Sequence, residues 1–244
     1  MNFAFSEEQD QLRDVVRRFV EEKSSEEEVR RLMDTEVGYD PNVWAQMANE
    51  LGLQSLHIPE EFGGQGFSFV ELAIVFEEQG RRLLCSPYFA TVALATNAIL
   101  NAGTSDEKAA LLPGIASGET IATLAFTEPN GRWDADGITM IAREDGGGWV
   151  LDGTKMFVID GNNADLIVVA ARTAGTSGEA GISFFTVTGD AQGLTRTALA
   201  TMDQTRKQAK LEFNNTPAEL IGTEGAGWSV LNTVLDLAAV GLAA

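Results

Sequence analysis

Cysteine and histidine are almost absent from this chain: Cys85 and His57 are the only ones in 244 residues. A lone cysteine rules out an internal disulfide, and with a lone histidine no cluster of soft ligands can hold a structural zinc or an iron-sulfur group. One histidine and no Gly-x-Ser-x-Gly elbow also leave no plausible hydrolase triad. Basic side chains are scarce too, 17 against 36 acidic, giving a net charge of -19. That balance repels phosphate backbones and anionic lipid surfaces, so nucleic acid and membrane are excluded as diffuse partners. A compact polyanion held by backbone amides and a few local groups is not excluded. No apolar run is long enough to cross a bilayer: the longest, from about Phe89 to Leu100, is interrupted by Thr91, Thr96 and Asn97. Met1 to Phe5 runs into acidic residues without the basic start and apolar core of an export signal, so a cytoplasmic location is expected.

What is present is an ordered globular pattern, 44% hydrophobic and 22% charged. The first half reads as helices. Capping boxes at Ser6/Gln9 and Ser68/Glu71 and an Asp40-Pro41 start each precede apolar residues at helical spacing. Ser86-Pro87 opens a nearly all-apolar helix expected to be buried on several sides, and a short helix from Ser105 is expected to stop at Leu112, before Pro113-Gly114. Near Ile121 the period changes to strands: 121–126, 138–143, 149–151, 156–159, 166–171, 182–187, 194–199 and 209–213. Short strands with turn signals between them suggest an antiparallel sandwich or small barrel. From Gly225 the pattern is helical again and still apolar at Ala244, which reads as the opening of a further helical bundle. The expected class is α+β: an all-α domain over 1–120, a β domain over 121–224, and the first helix of a C-terminal helical domain over 225–244.

Taken singly, the candidate functional residues have ordinary readings. His57 beside Ile58-Pro59 suits a structural hydrogen-bonding role. Glu60-Glu61 and Glu77-Glu78 are adjacent carboxylates that point apart, on solvated faces. Phe62-Gly63-Gly64-Gln65-Gly66 lacks a Walker lysine and Gly-x-Gly-x-x-Gly spacing, and reads as a turn. Thr127-Glu128-Pro129 either offers a hydroxyl and amides at a strand end or is a turn fixed by Pro129. Lys155 is an exposed strand residue or a motif member, and Asp160-Gly161-Asn162-Asn163 reads as a hairpin turn.

Together these blocks resemble the acyl-CoA dehydrogenase family across essentially the whole chain. Ile58-Pro59-Glu60-Glu61-Phe62-Gly63-Gly64-Gln65-Gly66 is similar to its Pro-Glu-Glu-Tyr-Gly-Gly-x-Gly signature. Leu112-Pro113 with Ser117-Gly118-Glu119 is similar to the domain junction, and Thr127-Glu128-Pro129 to the Thr-Glu-Pro block. Leu151-Asp152-Gly153-Thr154-Lys155-Met156-Phe157 is similar to the Asn-Gly-x-Lys-x-x-Ile-Thr-Asn region, and Gly225-Ala226-Gly227-Trp228 to the entry of the C-terminal bundle.

The resemblance implies FAD as cofactor, an acyl-CoA thioester as substrate, oxidation to the trans-2-enoyl form, electron-transfer flavoprotein as electron acceptor, and a homo- or hetero-oligomer. It places Leu124, Phe126, Thr127, Trp133, Phe157 and Ile159 at the flavin. Two of these depart from the family: Trp133 stands where a serine serves flavin or substrate phosphates, and Ile159 where a threonine hydroxyl reaches the flavin. The final helix reads Asp236-Leu237-Ala238-Ala239, without the glutamate and arginine of one branch, so the catalytic base is expected beyond Ala244. Three readings follow: a dehydrogenase, a flavin-deficient partner subunit of a heteromeric dehydrogenase, or a flavin monooxygenase or nitroalkane oxidase of the same fold. Outside enzymes, the chain could serve as a scaffold for a protein partner.

Overall fold

The computed structural model describes residues 4–244; the start of the stretch read as unlike an export signal, Met1 to Phe3, lies outside them. The helical part comprises α1 (Glu7–Lys23), α2 (Glu26–Met33), α3 (Pro41–Asn49), α4 (Phe69–Arg81), α5 (Asn97–Ala102) and α6 (Ser105–Ala116). Both expected capping boxes form, at Ser6 and Ser68, and a third at Thr104 opens α6. Helix α6 runs through Pro113 instead of stopping before it. The proline denies Ala109 its intrahelical donor, but both residues are exposed, so water can take that carbonyl while Leu112, Ile115 and Ala116 are buried.

The all-apolar segment is wound as a π-helix over Phe89–Thr96, every residue of it buried, and continues directly into α5. Its wide turns are tied by side chains: Thr96 Oγ1 donates to the Thr91 carbonyl at 2.8 Å and Asn97 Nδ2 to the Ala93 carbonyl at 2.9 Å. Such windings are uncommon and often mark functional sites.

The β part holds β1 (Ala122–Ala125), β2 (Ile141–Asp145), β3 (Gly148–Ile159), β4 (Leu166–Thr173), β5 (Ile182–Thr188), β6 (Leu194–Ala198) and β7 (Gln208–Ile221). The sheet closes on itself through β4-β2-β3-β7-β5 and back to β4, with β1 beside β4 and β6 beside β7. Most pairings are antiparallel, but β1–β4 and β2–β4 are parallel, so the barrel is mixed. Two expected strands, 149–151 and 156–159, are one, because register shifts after Leu151 and Lys155 absorb the irregular middle as bulges. The strand expected over 209–213 is longer: β7 carries on through Asn214-Asn215-Thr216-Pro217 to Ile221, with Asn215 at φ 48°. The turn at 160–163 is no hairpin: β3 and β4 do not pair with each other.

A single helix, α7 (Gly227–Ala243), closes the chain against both parts. One apolar core runs from α1 and α4 through the π-helix to Leu124, Phe184 and Leu231, so helical and β parts share it. Thr91 stitches them: its hydroxyl donates to the Ala122 carbonyl at 3.0 Å and accepts from the Ala122 N–H at 3.2 Å. Among the described residues no helix is long and apolar enough to cross a membrane, and no group of histidine, cysteine or carboxylate side chains could hold a metal ion.

Candidate functional site

Where β1 and β3 meet the π-helix and α7 lies a cavity of about 360 Å³. All six residues placed at the flavin line it: Leu124 and Phe126 at the end of β1, Thr127 just after, Trp133 on the following loop, and Phe157 and Ile159 on β3. The π-helix adds Phe89 and Leu94, and α7 adds Leu235, Ala238 and Leu242. These helical contributors have no local sequence signal beyond being apolar on a periodic face, and sequence reading did not single them out. Gln208, paired with Ile159 in the sheet, also lines the cavity and was missed for the same reason.

The lining is almost wholly apolar. Its polar side chains are Thr127 and Gln208, and neither makes a hydrogen bond through its side chain among the described residues. No carboxylate, amine, guanidinium or imidazole lines it. A flat ring system with a few polar edge atoms suits these walls, with two uncommitted polar groups to meet it. No cation lines it, so a pyrophosphate there would have to rest on backbone amides. The residues present therefore fit the ring of a flavin, and Thr127, Gln208 and Phe157 are the lining side chains that would meet it.

Phe157 is held at φ 56°, a left-handed conformation rare for an aromatic residue, and is half exposed. The strain falls at the register shift of β3, which turns the ring out of the sheet toward the cavity. Trp133 is 67% exposed and meets Phe126 edge to face at 5.3 Å and 89°. Its loop is tightly specified: Asn130 Nδ2 donates to the Gly137 carbonyl at 2.7 Å, and the Gly137 N–H donates to Asp134 Oδ1 at 3.0 Å. Buried Arg172 donates to the carbonyls of Ala135 and Ile138 at 2.7 and 2.5 Å.

Glu128 and Lys155 form a buried ion pair of 2.7 Å behind the cavity wall. Lys155 is fully buried, so of its two readings the exposed strand residue is excluded. Glu128 Oε1 accepts from the Met140 N–H at 3.0 Å, and both carboxylate oxygens accept from the Thr139 N–H at 3.0 Å. Burial alone would raise the Glu128 carboxyl, but the Lys155 charge and these bonds hold it below its ordinary value. Burial pushes Lys155 down to about 8 against the attraction of Glu128. Thr127-Glu128-Pro129 is thus neither a bare turn nor only a flavin cradle: Thr127 faces the cavity while Glu128 anchors the wall from behind.

One other reading changes. Glu78 is buried, not solvated, and is held by Arg13 at 3.2 Å and Arg17 at 2.9 Å. His57 is largely buried, and burial pushes its pKa down to about 4 against an opposing side-chain interaction with Asn97 that falls short of a well-formed hydrogen bond.

The acyl-CoA dehydrogenase N-terminal domain model matches residues 6–119 and the acyl-CoA dehydrogenase middle domain model residues 123–216. Acryloyl-CoA reductase (NADH) of Anaerotignum propionicum is 31% identical, over 100% of this chain and 63% of its own length. The structure of butyryl-CoA dehydrogenase from Megasphaera elsdenii superposes with a TM-score of 0.90 at 26% identity, over 100% of this chain and 66% of that one. The ChsE4-ChsE5 complex from Mycobacterium tuberculosis superposes with a TM-score of 0.81 at 27% identity, over 97% and 62%. The chain therefore spans between 62 and 66% of the length of these relatives. With both family models matched in order and the fold shared throughout, the chain belongs to the acyl-CoA dehydrogenase family.

Proposed function

We propose that this chain supplies the flavin-facing and acyl-facing walls of an FAD-dependent acyl-CoA dehydrogenase, which oxidises an acyl-CoA thioester to the trans-2-enoyl form and passes its electrons to an electron-transfer flavoprotein. The observation that carries the reading is the convergence of Leu124, Phe126, Thr127, Trp133, Phe157 and Ile159 on one apolar cavity with an uncommitted Thr127 hydroxyl. Bound there, a flavin supplies a hydride acceptor. The residues of the chain position and exclude: Phe157 packs on the ring face, Thr127 and Gln208 meet its polar edge, and the apolar helix faces keep water from the reacting carbons. Removal of the α proton requires a base, and no lining residue is one.

A second reading rests on Trp133 and Ile159, which put apolar surface where the family has hydroxyls, and on the lack of any lining cation. On it the chain is the flavin-deficient subunit of a hetero-oligomer; a solved relative is itself a two-component complex.

The visible absorption spectrum of the purified chain, alone and mixed with a flavin-competent acyl-CoA dehydrogenase subunit, separates the two. Flavin retained by the chain alone and bleached by an acyl-CoA supports the dehydrogenase. A colourless chain that gains flavin only in the mixture supports the partner subunit. No flavin under either condition overturns both. If the lost hydroxyls limit binding, Trp133→Ser and Ile159→Thr should each tighten FAD binding by about 1–2 kcal/mol; unchanged affinity in the double variant removes these positions from the flavin site.

A further inference from the structure

A second groove, of about 470 Å³, lies between α2, the end of α4 and the segment leading into β7. Arg30, Arg81 and Arg82 line it, with Glu26 as the only carboxylate residue among the lining residues. In a chain with 17 basic side chains and a net charge of -19, that convergence is a local reversal of sign. Two of the cations are uncommitted: Arg30 and Arg82 make no ion pair among the described residues, whereas Arg81 pairs with Glu78 at 3.6 Å, a carboxylate shared with Arg13 and Arg17. Guanidinium groups in an acidic protein normally find carboxylates, and Arg30 and Arg82 have not.

An independent observation lies at the same place. Helix α4 ends in a Schellman turn: the Leu83 N–H donates to the Gly80 carbonyl at 3.2 Å and the Leu84 N–H to the Gln79 carbonyl at 3.0 Å. Leu83 therefore occupies the left-handed position that glycine usually fills, at φ 51°, and its side chain is 55% exposed. The sequence puts a leucine where glycine would be less strained and leaves it exposed among the residues that line the groove. Strain of this kind, kept at a groove, points to use. Val29 and Met33 continue the apolar surface on the α2 side. The groove is tied together from behind, because Ser24 Oγ donates to the Arg82 carbonyl at 2.8 Å, joining the end of α1 to the end of α4.

We propose that this groove binds a small phosphorylated ligand, with phosphoryl oxygens on Arg30, Arg81 and Arg82 and a planar or apolar portion against Leu83, Met33 and Val29. The volume lies in the range of small-molecule sites. The guanidinium fork matches phosphoryl oxygens in pairs. The overall charge of the chain repels extended polyanions, so the ligand is compact enough to lie within reach of the three arginines. The site does not depend on the flavin reading, since the flavin cavity is lined by no cation.

Titration calorimetry with ADP and with inorganic pyrophosphate, at about 20 and about 150 mM salt, tests it. ADP is expected to bind more tightly than pyrophosphate, adenosine not at all, and both anions more weakly at the higher salt. Arg30→Gln and Arg82→Gln should each weaken ADP about tenfold or more; both residues are exposed, so circular dichroism should be unchanged. Leu83→Gly should raise the melting temperature by about 2–4 °C by removing the left-handed leucine. The same variant should weaken ADP several-fold and leave pyrophosphate unchanged. The proposal is overturned if neither anion binds at millimolar concentration, or if the Arg30→Gln/Arg82→Gln double variant binds ADP as the parent does. Equal affinity for ADP and pyrophosphate overturns the apolar half of it.

Discussion

Replacing Lys155 by methionine keeps the aliphatic stem and removes the ammonium that faces Glu128 at 2.7 Å and the Phe126 carbonyl at 3.3 Å. The Glu128 carboxylate then stays buried with hydrogen bonds from Thr139 and Met140 but no counter-charge. Removing one partner of a buried pair costs about 3–5 kcal/mol, because the remaining charge is uncompensated. With a urea m-value of roughly 2 kcal/mol/M the unfolding midpoint should fall by about 1.5–2.5 M. Tryptophan fluorescence can follow it, since Trp149 lies on β3, the strand that carries Lys155, with its ring 5.2 Å from Phe185. Lys155→Met combined with Glu128→Gln removes both charges and should recover about 2 kcal/mol relative to the sum of the single variants. A single-variant loss below about 1 kcal/mol, or strict additivity in the double variant, would refute the claim that this pair anchors the cavity wall.

Asp160 is buried with Oδ2 unpartnered, and burial raises its pKa to about 7, above the ordinary 3.8. Because the folded state holds its proton more tightly than the unfolded state, the stability from this group is complete below pH 4 and is lost as pH rises through 7. Asp160→Asn should therefore flatten the pH dependence of stability between about pH 4 and 7 and raise the stability at pH 8 by on the order of 4 kcal/mol, or about 2 M in urea midpoint at an m-value of roughly 2 kcal/mol/M; a slope identical to the parent would contradict this. Gly64→Ala should abolish or severely weaken folding, since a Cβ there would lie 1.8 Å from the Ile58 carbonyl oxygen; a circular dichroism melt within a few degrees of the parent would show that the loop yields. Arg172→Met should loosen the Trp133 loop by freeing the Ala135 and Ile138 carbonyls, seen as faster amide exchange at Gly137 with the melting temperature lowered by several degrees; unchanged exchange would mean that the loop holds itself.

The helices could be read because their starts are chemical: Ser6, Asp40 and Ser68 cap with side chains that the sequence displays. The strands could be read from period, but their ends and partners were less legible. Asn214 to Pro217 has turn composition, and only pairing with β3 makes it strand; nothing local announces that β1 and β2 join β4 in parallel. The cavity side of the site was legible through ordered motifs, whereas its helical wall was not, because Leu94, Leu235 and Leu242 differ in no local way from core leucines. The burial of Glu78, and the choice between the two readings of Lys155, are illegible in the sequence for a common reason. A charged side chain reads as solvated until its partner is found, and those partners lie at Glu128, Arg13 and Arg17, distant in sequence.

That division of labour bears on how the departures at Trp133 and Ile159 should be weighed. The residues that hold the cavity in shape are polar and buried behind it: Glu128 with Lys155, Arg172 under the Trp133 loop, and Thr123, whose hydroxyl donates to the Ile159 carbonyl at 2.6 Å. The residues that face the cavity are apolar apart from Thr127 and Gln208. A chain that had merely lost its ligand would have no physical need for the costly buried framework, because a charged pair seldom stabilises more than an apolar substitute of equal volume. The framework specifies position rather than adding net stability, and it specifies the backbone on either side of the positions where hydroxyls are missing. On the proposed flavin reading, Trp133 and Ile159 are side-chain changes on an intact scaffold, so the choice between a flavin-holding wall and a flavin-deficient one rests on those two side chains rather than on the fold.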